Sequence, residues 1–160
     1  MNKLTFEDLG FGIHTVSFDD GKRVNYMTVP TTTICGTPIT YIITEKRSEI
    51  EISDGGAIFG ELMGMGIASD SEEFKILQEA ANEYGCEFVE RTGGYALTLN
   101  TTRKNLTKGF SAFTEAIADC FDFLNEFDEF EEYMEELFDR LQGKGKAFDL
   151  TNPPEQTGNA

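Results

Sequence analysis

Apolar and polar positions follow two different periods along this chain. In the first third the period is close to two. Glu49, Ile50, Glu51 and Ile52 alternate acid and isoleucine, which puts both isoleucines on the inner face of a strand and both glutamates in water. Ile39 to Thr44 is rich in β-branched residues and reads as a clear strand. Phe11 to Phe18 alternates in part and runs into Asp19-Asp20-Gly21-Lys22, where Asp-Gly signals a hairpin turn. Arg23 to Val29 is then the returning strand, closed by Pro30. Thr31 to Ile34 is β-prone and Gly36-Thr37-Pro38 interrupts it. Before these strands, Lys3 to Leu9 predicts a short helical turn stopped by Gly10 and Gly12. The first third is predicted to be an antiparallel sheet.

From Asp54 the period lengthens. Asp54-Gly55-Gly56 turns the chain into a short helix from Ala57 to about Met63, ended by Gly64 and Gly66. Ser69, Asp70 or Ser71 can cap a second helix that runs through Tyr84, with Glu72 and Glu73 suited to its N-terminal dipole. Phe74, Leu77, Ala81 and Tyr84 mark its buried side, and Gly85 is placed as its C′ residue. Cys86 to Glu90 and Tyr95 to Leu99 are two further strands joined through Thr92-Gly93-Gly94. The strongest periodicity comes last, from Asn105 to Gln142, as one long helix or two broken near Asn125. Phe113, Ile117, Cys120, Leu124, Phe127, Phe130, Met134, Leu137 and Leu141 recur every three or four residues and face a core or a partner. The expected fold is α+β: an antiparallel sheet with two central helices and a long acidic C-terminal helix, all in a single domain over 1–142. Residues 143–160, ending TNPPEQTGNA, read as a flexible tail.

Composition supports a folded domain. Of 160 residues 39% are hydrophobic and fourteen are Phe, enough for a core in spite of the charge. The net charge of −16 argues against direct binding to nucleic acid or to an anionic membrane and favours a basic protein partner, a metal ion, or none. Cys35, Cys86 and Cys120 are widely spaced in apolar contexts and read as reduced, mostly buried thiols with no zinc pattern. No apolar leader or membrane-length run is present, so the expected compartment is the cytoplasm, that of a bacterial host.

Charge is concentrated on the long helix. Glu115, Asp119, Asp122, Glu126, Glu129, Glu132, Glu136 and Asp139 recur at helical spacing, and Asp128, Glu131 and Glu135 add a second row. These are eleven carboxylates with no Lys or Arg between Glu115 and Asp139. Like charges at i,i+4 destabilise a helix by roughly 0.2–0.5 kcal/mol per pair. Eleven charges over about 36 Å of helix give about one per 3.3 Å, close to the roughly 3.4 Å spacing along one DNA strand.

Several segments together resemble a known family. They are a strand ending in a Pro, Ile39-Thr40-Tyr41-Ile42-Ile43, Ile50-Glu51-Ile52-Ser53-Asp54-Gly55-Gly56, Phe59, Glu61-Leu62, Met65-Gly66-Ile67 and Glu83-Tyr84-Gly85. A strand pair and a helix carrying Phe113, Glu115-Ala116-Ile117 and Phe123-Leu124 complete the pattern. Over residues 13–124 the chain resembles DUF1828, a domain of unknown function found in short prokaryotic and phage proteins. The resemblance implies a compact α+β domain and an association with phages and mobile elements. It carries no catalytic residues across, and the acidic segment from Glu126 to Asp139 lies outside it.

Catalytic chemistry finds little purchase. His14 is the one conventional base and has no GxSxG or reactive-Cys context. Asp54, Glu45 and Lys46 are the nearest approach to a metal-dependent nuclease site. Asp54 in Ser53-Asp54-Gly55-Gly56 reads more simply as a turn and cap residue. Gly55 and Gly56 lack the flanking pattern of a phosphate cradle, and the acidic helix lacks an EF-hand loop. No cofactor and no specific metal site are expected.

The expectation is a non-enzymatic anti-defence inhibitor from a phage or mobile element. It would bind a basic host nucleic-acid-handling protein, such as a CRISPR effector or restriction enzyme, as a nucleic-acid mimic. The partner-binding residues would be the eleven carboxylates, with Phe123, Phe130 and Tyr133 adding desolvated contact. Alternatives are an oligomeric structural or regulatory module with an acidic solubilising face, including a homodimer through Phe127 to Leu141, or a divalent-dependent nuclease subunit.

Overall fold

A computed structural model describes residues 12–32, 36 and 38–142 of the chain. The predicted turn at Lys3–Leu9, the thiol of Cys35 and the tail at 143–160 lie outside the described residues. The elements run β1 (Gly12–Ser17), β2 (Arg23–Thr32), β3 (Pro38–Lys46), β4 (Glu49–Ser53), α1 (Ala57–Gly64), α2 (Glu72–Asn82), β5 (Glu87–Arg91), β6 (Gly94–Thr102) and α3 (Leu106–Leu141). The chain divides into two compact units, 1–124 and 125–160.

The first unit holds one six-stranded sheet in the order β1-β2-β3-β4-β6-β5, and every pairing is antiparallel. As expected, Gly21 takes a left-handed conformation in the β1–β2 turn, and Phe18 N–H closes the turn on the Lys22 carbonyl at 2.8 Å. β2 does not stop at Pro30 but runs to Thr32. Its register against β3 shifts between Val29 and Thr32, and a proline without an N–H is accommodated in a strand at such an irregularity.

Register places the helices on one side of this sheet. Ile43 lies opposite Ile52, which lies opposite Leu99, and Phe88 lies opposite Leu97. With alternation along each strand, Tyr41, Leu97 and Tyr95 share that face. Tyr41 packs on Phe110 and Phe113 of α3, with ring centroids 5.5 and 5.0 Å apart. Tyr95 and Phe88 meet Phe59 of α1 and Phe74 of α2 in a cluster with centroids 5.1–5.5 Å apart. The result is a two-layer α+β unit.

The caps follow the sequence. Ser71 Oγ accepts from Phe74 N–H at 3.2 Å and starts α2. The predicted continuation to Tyr84 becomes a cap instead: α2 ends at Asn82, Gly85 is left-handed, and Cys86 N–H reaches back to the Ala81 carbonyl at 3.0 Å. This bond satisfies a carbonyl at the end of the helix. Ile50 and Ile52 are buried and Glu49 is exposed, as the alternation requires, while Glu51 is half-buried and paired with Arg91.

Candidate partner-binding helix

Residues Leu106–Leu141 form one helix, α3, with no break at Asn125. Within the first unit its apolar positions are core. Phe113, Ala116, Ile117, Cys120, Phe121 and Leu124 are all buried, so Phe121 belongs to a widened buried stripe. Glu115 and Asp122 are exposed and Asp119 is half-buried. Asp119 accepts a hydrogen bond from the Tyr84 hydroxyl at 2.7 Å, and that bond pushes the Tyr84 phenol up to about 12. Phe123 is half-buried. Burial also pushes the thiols of Cys86 and Cys120 up, to about 11 and about 12. Neither is a nucleophile at neutral pH.

Within the second unit the same helix is differently used. Phe130, Tyr133, Phe138, Leu141 and Met134 are 63, 60, 59, 50 and 44% exposed. At about 100° of rotation per residue, the positions from 126 to 141 separate into two halves. One half holds 128, 129, 131, 132, 135, 136 and 139, and every one of these is Asp or Glu. The other holds Phe127, Phe130, Tyr133, Met134, Leu137, Phe138 and Leu141, with Glu126 falling between Tyr133 and Leu137 and Arg140 at the edge. Glu129, Glu132, Glu135, Glu136 and Asp139 are exposed and Asp128 is half-exposed.

The helix therefore divides the predicted contact residues of this segment: Phe130 lies across it from Glu132 and Asp139, whereas Tyr133 lies beside Glu129 and Glu136, four and three residues away. Phe138 belongs with the exposed aromatics and was not singled out from the sequence. Its signal was its place four residues after Met134.

The other candidate chemistries come apart in the structure. Asp54 is a buried bracket: Oδ1 accepts from Gly56 N–H at 2.8 Å and Leu97 N–H at 2.9 Å, and Oδ2 accepts from Ile58 N–H at 3.0 Å. Burial pushes its carboxyl above the usual range and outweighs the opposing pull of these amides. Glu45 instead takes Arg103 at 2.6 Å and Asn25 at 2.9 Å, while Lys46 sits 3.6 Å from Asp20. Asp54, Glu45 and Lys46 thus serve three separate local arrangements. The amides of Gly55 and Gly56 donate to Ser53 Oγ and Asp54 Oδ1, not outward to a phosphate. A groove of about 250 Å³ lined by Gly55, Gly56, Gly93, Gly94 and Arg91 adjoins this turn, but Arg91 is paired with Glu51 at 2.9 Å. His14 is exposed on β1 opposite Tyr26. Among the described residues no group of three or more His, Cys, Asp or Glu is placed to hold a metal ion, and no helix is long and apolar enough to cross a membrane.

The Asp54 turn, α1, α2 and the Tyr84-Gly85 cap are the features that the resemblance rested on. A family model described as Domain of unknown function DUF1828 matches residues 36–119, more than half of the chain. The chain belongs to that family. The DUF1828 match is narrower than the span over which the resemblance was drawn, 13–124, and it ends before the 126–141 segment. No curated protein and no solved structure matches the chain.

Proposed function

We propose that this DUF1828 protein is a non-enzymatic inhibitor encoded by a phage or mobile element. It engages a basic, nucleic-acid-handling protein of the host, a CRISPR effector or restriction enzyme, by presenting carboxylates where that protein expects phosphates. The observation that carries the reading is the one-sided helix surface, where all seven positions from 128 to 139 on one half are acidic. Seven charges over about 17 Å amount to roughly one per 2.4 Å, between the spacing of a single strand and that of a duplex. Such a surface draws a cationic partner over long range, speeds encounter, and weakens as salt rises. Phe130, on the opposite half, takes no part in this contact, while Tyr133 lies at its edge.

The test is capture from bacterial lysate on the immobilised chain, followed by assay of each captured nuclease or effector with the chain added. The expected result is inhibition that duplex DNA or heparin relieves. A variant with Glu132→Lys, Glu136→Lys and Asp139→Lys is expected to bind roughly 10–100-fold more weakly. Capture and inhibition that are indifferent to those three reversals would refute the reading.

A further inference from the structure

The apolar half of the same segment needs its own occupant. Phe130, Tyr133, Met134, Phe138 and Leu141 each keep between 44 and 63% of their surface in water. At 150–250 Å² for a buried aromatic, these five leave roughly 500 Å² of largely apolar surface uncovered. That lies toward the upper end of the roughly 300–600 Å² of the largest apolar patch on a typical monomer, and such patches are often functional.

Two kinds of partner are open to it, and the helix geometry chooses between them. A basic protein would be recognised by the carboxylates, but most of these, Asp128, Glu132, Glu135 and Asp139 at their centre, point to the opposite half of the helix. Charge complementarity therefore gives this half no reason to select a cationic partner. A second copy of the same chain suits it better. Phe127, Phe130, Met134, Leu137 and Leu141 are spaced three, four, three and four residues apart, the interval that keeps two paired helices in register. Pairing two such faces turns both acidic halves outward. Only Glu126, Glu131 and Arg140 flank the seam, and they are of mixed sign. Two copies would together bury roughly 1,000 Å², the lower bound for a specific interface.

We infer that the chain forms a homodimer through the apolar half of residues 127–141, which leaves an acidic face directed outward on each side. The inference stands on the exposed apolar residues and does not depend on what the acidic face binds.

Sedimentation equilibrium on the full chain tests it. The expected mass is twice the 17.8 kDa of one chain. Replacing Phe130, Met134 and Phe138 with serine should return the mass to that of one chain. The charge-reversed variant Glu132→Lys, Glu136→Lys, Asp139→Lys should keep the double mass while losing partner capture, which separates failure of the dimer from failure of the inhibitor reading. A second measurement needs no substitution: hydrogen exchange at the amides of 127–141 should slow as protein concentration rises. The inference is overturned by a wild-type mass of one chain at every concentration, by a double mass retained in the serine variant, by dissociation in the lysine variant, or by exchange that ignores concentration.

Discussion

At Asp54 three backbone amides from three places, the turn, the start of α1 and the middle of β6, converge on one carboxylate. Asp54→Ala removes both acceptor oxygens, and with them all three bonds, and leaves the Ile58 and Leu97 amides with no partner in the core. Each unsatisfied buried donor costs about 1–3 kcal/mol, so the expected loss is about 3 kcal/mol, read as a lower urea midpoint with an unchanged slope. The local half of this role was legible in Ser53-Asp54-Gly55-Gly56, since Asx side chains bond nearby amides. The bond to Leu97 was not, because nothing in a turn motif says which distant strand will lie beside it. Tyr84 gives the complementary case. Its hydroxyl proton is held by Asp119, so its folded value of about 12 exceeds the ordinary 10.0. A raised value means that its contribution to stability is fully present below pH 10.0 and is lost as pH rises through about 12. Comparing thermal unfolding of the wild type and Tyr84→Phe should show a gap that is constant below that window and closes within it. A gap that does not change with pH would show that the bond adds nothing.

Turns show how far elements can be read from sequence. The β5–β6 hairpin was visible in Thr92-Gly93-Gly94, but the two glycines are there for different reasons. A Cβ at Gly93 would meet nothing, whereas one at Gly94 would lie 2.7 Å from two ring carbons of Phe59, at φ +153. Gly94→Ala is thus expected to lower stability by about 2–3 kcal/mol, and Gly93→Ala by about 1 kcal/mol, with urea midpoints as the measure. Equal losses would mean that backbone conformation alone matters at this hairpin. The β3–β4 turn carried no such signal. Arg47 adopts φ 60 there in a two-residue loop fixed by the pairing of Lys46 with Glu49, so strand pairing overrides the residue's own preference. Pro30 misled in the opposite direction, because a bulge can absorb a missing donor that a regular ladder cannot.

At the level of the whole molecule, the α+β class and the order of strands and helices followed from the change in apolar period at Asp54. The sheet order β1-β2-β3-β4-β6-β5 keeps neighbours in sequence mostly neighbours in space, as short connections favour. The acidic rows were equally plain. What periodicity could not supply was the fate of the apolar stripe, which has the same spacing where it is buried, at Phe113 and Leu124, and where it is exposed, at Phe130 and Leu141. Spacing describes a face and is silent about what covers it.

That silence bears on how the 126–141 helix persists. Its acidic half sets Asp128 against Glu132, Glu131 against Glu135, Glu132 against Glu136 and Glu135 against Asp139, four repulsions worth roughly 1–2 kcal/mol together. The segment continues a helix whose first half is packed in the core, so it needs no nucleus of its own but bears these repulsions with its apolar side largely exposed. Its winding is therefore tied to shelter for its greasy side or to cations on its charged one. The helical content of this one stretch becomes a gauge of occupancy, rising whenever either side is met.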